Sequence, residues 1–200
     1  MRWLCSFALL SLALPLFAQS NELSLLGGKA RMSKTEVGGS EVRFDSGNAY
    51  GIAYNRFWGT WLSAELSAMK TRNDAHIRFA GQNVLDAGRL SLRLLAATAQ
   101  FHCVHHGALD AYAGAGVANV NADDLKSADL ATAGVTNVRV KSRTTWLANL
   151  GAAIGIGRNF AVGVDGKYVR YRPDSAEPGG EVVRLKLDPL IVSLAVKFRF

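Results

Sequence analysis

Few cysteines, few prolines and no long hydrophobic run mark this chain, and each shortage removes a class of protein. Only 2 of the 200 residues are cysteine, and Cys5 sits inside the amino-terminal apolar run, so Cys103 alone follows it. An internal disulfide framework is therefore excluded. After residue 18 no continuous apolar stretch approaches the ~20 residues that a helix needs to cross a bilayer. That excludes a helical membrane protein. Proline is scarce, at 4, while glycine reaches 20. With a mean hydropathy of +0.09, these totals fit apolar residues diluted by alternation, and a soluble β-sandwich would share them. The net charge of +7 is not gathered into a basic cluster, so nucleic acid is not an expected partner.

Met1 and Arg2 precede an apolar run from Trp3 to Leu14, then Pro15, Leu16, Phe17 and Ala18, before the polar Gln19, Ser20 and Asn21. This order reads as an export signal over residues 1–18, cut after Ala18. Residues 19–200 then form one domain.

What the chain does have is alternation. Leu190 to Phe200 places Leu190, Val192, Leu194, Val196, Phe198 and Phe200 on one face, and Ile191, Ser193, Ala195, Lys197 and Arg199 on the other. Period two defines a strand. A purely apolar face opposite one that turns cationic is the pattern of a strand with lipid outside and a polar lumen inside. Seven further segments read as strands: 22–32, 49–58, 61–70, 89–104, 109–120, 144–157 and 160–172. In the fourth, the apolar face changes parity near Leu94 and Leu95, which predicts a β-bulge there. Connections run long, short, long, short, long, short, long, with a short helix expected near 123–131. That rhythm predicts an all-β, eight-stranded antiparallel transmembrane barrel of up-and-down meander type. It belongs in a bacterial outer membrane, with both termini periplasmic and outer-membrane lipid as its surroundings.

Facing follows from alternation. Glu65, Asn149, Asp165, Lys167, Lys197 and Arg199 are predicted to line the lumen, because a charge turned to lipid costs up to about 2–4 kcal/mol. Asp165 and Lys167 should find partners across it. A salt-bridge network that neutralises these charges is the simple reading, and selectivity for a permeant solute is the other. Phe57, Trp58 and Trp61 flank a short turn and, with Phe198 and Phe200, are expected at the membrane–water boundary. Lys34, Arg72, Arg78, Arg139, Lys141, Arg143, Arg170 and Arg172 fall near the outer rim, where lipopolysaccharide phosphates are a reasonable partner.

The ending LKLDPLIVSLAVKFRF (Leu185–Phe200) resembles the last strand of OmpW-type outer-membrane barrels, with their Lys-Leu-Asp-Pro lead-in and terminal Phe. DAYAGAGVANV (Asp110–Val120) is similar to that family's Tyr-Val-Gly-Ala-Gly strand, and residues 47–69 fit its paired second and third strands. The family's His-Leu-Pro-Pro element is absent, Gly88–Ala97 reading GRLSLRLLAA. The resemblance implies a narrow, partly hydrophobic lumen that passes or binds small hydrophobic molecules. Phe200 resembles the terminal signal read by the barrel-assembly machinery.

Other chemistry is sparse. His102, His105 and His106 near Cys103 read as turn histidines, because no carboxylate lies at ligand spacing, so no metal or cofactor is expected. Some small barrels are lipid-modifying enzymes with a serine and histidine near a rim. No histidine here is followed two residues later by serine, and enzyme activity is not expected, although a Ser/His pair from separate strands stays open. Two functions result: passive uptake or binding of small hydrophobic molecules, or a plugged structural barrel whose loops bind lipopolysaccharide, host or phage.

Overall fold

The computed structural model describes residues 21–37, 40–78, 84–106, 109–123, 139–176 and 182–200. Eight long strands run in meander order: β1 (Asn21–Arg31), β2 (Gly47–Trp58), β3 (Leu62–Arg78), β4 (Val84–His106), β5 (Leu109–Ala122), β6 (Arg143–Ile156), β7 (Phe160–Val169) and β8 (Leu190–Arg199). Each pairs antiparallel with the next. β8 then returns to β1, with Glu22 opposite Arg199 and Leu25 opposite Val196. The barrel is closed and presents no free edge between its first and last strands. The expected leader and residues 124–131 of the expected helix lie outside the described residues.

Alternation sorts the side chains. Leu66, Leu95, Val117, Leu150, Ile154, Val164, Val192 and Leu194 point outward and are exposed, forming the apolar band that faces lipid. Their neighbours point inward and are buried. One end of the barrel carries the start of β1, the end of β8 and the β2–β3, β4–β5 and β6–β7 junctions; the other carries the β1–β2, β3–β4, β5–β6 and β7–β8 junctions. These are the turn end and the loop end.

Two expectations need correction. β4 keeps one parity from Leu90 to His102: Leu90, Leu92, Leu94, Ala96, Thr98, Gln100 and His102 all face in, and Leu95, Ala97, Ala99 and Phe101 all face out. No bulge lies at Leu94 and Leu95. The register instead shifts between Ala75 and His76 on β3, and between His102 and Val104 on β4. The first shift leaves Ala87 unpaired beside Gly88, whose φ of 89° suits glycine. The lumen is apolar at the loop end, so leucine is at home on either face there and the run of leucines needs no bulge. The stretches 71–88 and 33–47 are also more regular than loops. β3 and β4 extend into the first, and Thr35–Val37 and Ser40–Phe44 form a hairpin in the second that continues onto β3.

Small residues set the close approach of strands. A Cβ on Gly116 would collide with the Ala97 carbonyl and with Thr98 Cα on β4. The glycine-rich β5 thus follows from backbone proximity, not from flexibility.

The closing seam ends in reciprocal backbone hydrogen bonds, Asn21 N to Phe200 O at 2.8 Å and Phe200 N to Asn21 O at 2.9 Å. The Phe200 ring packs 5.7 Å from that of Phe198. Deleting Phe200 removes both hydrogen bonds, each worth about 1 kcal/mol, and the outer ring of the pair. The fraction of chain in the compact, heat-modifiable form in outer-membrane preparations is expected to fall several-fold; an unchanged fraction would show that the terminal residue is dispensable.

Candidate functional site

The lumen has two parts. At the turn end the strands bring polar side chains of high charge density into one layer. Glu22 from β1 receives Lys197 Nζ at 2.8 Å and Arg199 Nε at 2.7 Å, both from β8. Arg199 reaches on to Asp110 of β5 at 2.7 Å. Asp110 holds His102 Nδ1 of β4 at 2.7 Å, and His102 Nε2 lies 2.8 Å from the Ser63 hydroxyl of β3. Ser63 Oγ and Asn55 Nδ2 meet Gln100 Oε1 at 3.2 and 2.8 Å, and Gln100 Nε2 donates to Glu65 Oε2 at 3.0 Å. Lys167 Nζ lies 2.8 Å from Glu65 and 2.9 Å from Asp165, and the Tyr112 hydroxyl donates to Asp165 at 2.9 Å. The chain of contacts is continuous from β8 to β5.

All of these ions but the half-buried Arg199 are buried, so the layer stands or falls on its pairing: desolvation is repaid only where geometry and hydrogen bonding are complete. Rings close its gaps. The Phe57 and Tyr112 rings lie 4.8 and 5.5 Å from the His102 imidazole, and the Lys197 ammonium sits 4.7 Å from the Tyr112 ring centre.

The strands turn Glu65, Asp165, Lys167 and Lys197 inward and buried, Arg199 reaches inward to Glu22 and Asp110, and Asp165 and Lys167 meet Tyr112 and Glu65 from other strands. Asn149 is also inward and buried, but its carboxamide makes no hydrogen bond among the described residues. His102 needs correction. It is not a turn histidine but a fully buried member of the layer. Phe57 is corrected too: at 2% exposure it lies inside the barrel against His102, while Trp58, Trp61, Phe198 and Phe200 remain exposed near the turn end. Adjacent residues of a strand point opposite ways, so Phe57 and Trp58 could not both face lipid. The same rule, applied to His102 beside the outward Phe101, would have found the histidine. Glu22, Ser63, Gln100, Asp110 and Tyr112 complete the layer and were not singled out from sequence. Their signal is inward parity near the turn end.

Ser63, His102 and Asp110 have the spacing of a nucleophile, base and acid relay. Ser63 and His102 are nevertheless completely buried, and Asp110 is also engaged by Arg199.

The loop end of the lumen is apolar. Leu26, Ala30, Met69, Leu90, Leu92, Leu94, Val120, Leu147, Val169 and Ile191 line it. Tyr171, Leu185 and Leu187, from the β7–β8 connection, cover it. Leu187 N donates to Tyr171 O at 3.1 Å, Ser33 N to Leu187 O at 2.8 Å, and the Tyr171 hydroxyl to Lys141 O at 2.7 Å. Burial raises the Tyr171 phenol above its usual value, keeping it a neutral donor. Asp188 turns this cover at a φ of 31°, with its buried carboxylate bound by Arg172 at 3.0 to 3.4 Å. That hydrogen bonding raises the Arg172 guanidinium further above its ordinary range.

The rim cations divide. Arg72 is on β3 and points outward, 6.0 Å from the Tyr50 ring centre. Arg78 and Lys141 are exposed, Lys34 pairs with Glu41 at 3.3 Å, and the Arg139 side chain lies outside the described residues. Arg143, Arg170 and Arg172 share one cleft with Thr145 and Trp146. A separate apolar depression of about 480 Å³ on the outer wall, over Ile52, Leu66, Ala68, Leu95 and Val117, faces lipid and not the lumen.

The profile of the OmpW family matches residues 25–200. The chain belongs to the OmpW family. OprG of Pseudomonas aeruginosa has the same fold, with a TM-score of 0.76 at 13% identity over 90% of this chain and 96% of that one. AlkL, solved in lipid bilayers, gives 0.66 at 14% identity over 94% and 93%. Outer membrane protein W of E. coli gives 0.52 at 16% identity over 92% and 100%. No curated protein sequence matches the chain. Within the OmpW fold the Leu187-Asp188-Pro189 lead-in now has a physical role, since Pro189 O accepts from Val169 N at 3.0 Å and the motif sets the cover on the lumen. As an OmpW-family barrel the protein resides in the bacterial outer membrane.

Proposed function

We propose that this barrel receives small hydrophobic molecules into the loop-end half of its lumen and does not conduct ions through the turn-end half. The single observation that carries this reading is the division of the lumen into an apolar compartment and an ion-paired floor. A hydrated ion entering from the loop end must shed water among leucines. A hydrophobic solute moving toward the turn end must separate buried ion pairs, at roughly 3–5 kcal/mol for each partner left alone. Solute can therefore enter the apolar half by displacing Tyr171 and Leu187, and the floor stops it there. The asymmetry of short turns and long connections supports a loop end outside the cell, with the turn end in the periplasm. The Ser63–His102–Asp110 trio has a structural role in this reading, tying β3, β4 and β5 together inside the floor, and no reaction or cofactor is assigned.

The experiment combines two measurements on purified, reconstituted protein. Planar bilayers in concentrated potassium chloride should show no stepwise conductance above the lipid baseline. A short alkyl diazirine, activated by light, should label lumen residues such as Leu92, Val120, Leu147 or Ile191, and Leu92→Asp should suppress that labelling. Labelling confined to outward residues would refute the compartment, and would favour a plugged barrel acting through its surface.

A further inference from the structure

We infer that the cleft between Arg143 and Arg170 is a binding site for the phosphate of an outer-leaflet phosphoglycolipid of the lipid A type, whose acyl chains run down the adjoining wall. The inference rests on the loop end facing outward but not on any ligand in the lumen.

The two guanidiniums share one cleft, which Arg72 and Arg78, also without a carboxylate partner among the described residues, do not line. Arg89 is held by Asp74 at 2.9 Å and Arg93 by Asp123 at 3.1 Å. Arg172 is held by Asp188. Arg143 and Arg170 have no carboxylate partner among the described residues, although both are fixed in place. Arg143 Nη1 donates to Arg172 O at 2.9 Å, which leaves the rest of its fork unused. Arg170 is anchored through its backbone, its carbonyl accepting the Thr145 hydroxyl at 2.6 Å and its amide donating to Trp146 O at 3.3 Å. Its guanidinium lies 6.0 Å from the Trp146 ring centre. Two positioned, uncompensated forks beside a hydroxyl, around a cleft of about 390 Å³, match the several acceptor oxygens of a phosphate monoester.

The cleft's height in the barrel selects a lipid over a soluble anion. Trp146 and Tyr168 face outward with ring centres 5.9 Å apart, the placement of aromatic side chains at a headgroup boundary. Directly below them on β6, β7 and β8, Leu150, Ile154, Val164, Val192 and Leu194 present an uninterrupted apolar wall. A phosphate in the cleft therefore has hydrocarbon contact immediately beneath it, on a membrane whose outer leaflet is built from phosphorylated glycolipid.

The test is a native mass spectrometry titration of the folded protein with bisphosphorylated lipid A and with its dephosphorylated form. The wild-type chain should bind the phosphorylated form about tenfold more tightly, as charge-assisted, bidentate hydrogen bonds imply. R143Q/R170Q should erase that preference. R143K/R170K should keep part of it, since lysine retains the charge but loses the fork. R89Q/R93Q, which removes arginines already matched by aspartates, should leave it unchanged. Equal binding of both lipids by the wild-type chain would overturn the inference without any variant being needed, and so would a preference that survives in R143Q/R170Q. Phosphatidylglycerol or inorganic phosphate bound as tightly as lipid A would overturn it in favour of a general anion site. Lumen photolabelling is untouched by any of these outcomes, so the two readings fail separately.

Discussion

Lys167→Met is expected to destabilise the folded barrel by about 3–5 kcal/mol, the scale for removing one partner from a buried ion cluster. Lys167 is 2% exposed and holds Glu65 at 2.8 Å and Asp165 at 2.9 Å. Methionine fills much of the lysine stem's volume, so lost packing contributes little and the effect isolates the charge. Two carboxylates then remain buried, with Gln100 and Tyr112 as their remaining donors among the described residues. Neutralising both, in Lys167→Met with Glu65→Gln and Asp165→Asn, should recover most of the loss, because the penalty comes from orphaned charge. Equilibrium urea unfolding in phospholipid vesicles measures both variants. A single mutant as stable as the wild-type chain would mean that the layer is hydrated and not sealed.

Leu194→Arg should cost about 2–4 kcal/mol in the same vesicles, the range for an arginine near the bilayer midplane on the outer face of a barrel. Leu194 is 70% exposed, lies mid-strand in β8 and is opposite Gly27 and Val164 on its neighbours. Leu194→Ala, which keeps the site apolar, should be much milder. The comparison tests orientation directly. If arginine were tolerated as well as alanine, the outward face of β8 would be meeting water or protein, and the band would have to be redrawn.

Much of this barrel could be read from period two alone. Each strand's facing is a local property, so Glu65, Asp165, Lys167, Lys197 and Arg199 were assignable to the lumen without knowing any neighbour. Which residues they meet is not local. Lys167 finds Glu65 across 102 positions of sequence, and Lys197 finds Glu22 across 175. Such pairings depend on the stagger of the strands, which no single segment encodes. Errors arose where composition was allowed to override parity. Leu90, Leu92 and Leu94 looked like a lipid face because leucine is apolar, yet the lumen at that height is apolar as well. Phe57 was grouped with Trp58 by adjacency, although strand geometry separates them. His102 was grouped with His105 and His106, when its alternation with Phe101 placed it inside with Gln100. In the sequence Arg143 and Arg170 are two of several rim cations, because what distinguishes them is that they share one cleft, a contact across 27 positions of sequence that no single strand encodes.

Closure of the cylinder also constrains the order of assembly. Glu22 stands at the start of β1, and both of its cationic partners stand within the last four residues of the chain. Until β8 docks, Glu22 has neither of them and Asp110 lacks Arg199. A barrel made without its final residues would enclose uncompensated carboxylates, so an incomplete chain is penalised just where a cylinder could otherwise close on seven strands. The seam's ion pairs would thus act as a completeness check: the contact of longest sequence separation should form last, and folding should be slow, late-committing and intolerant of carboxyl-terminal truncation.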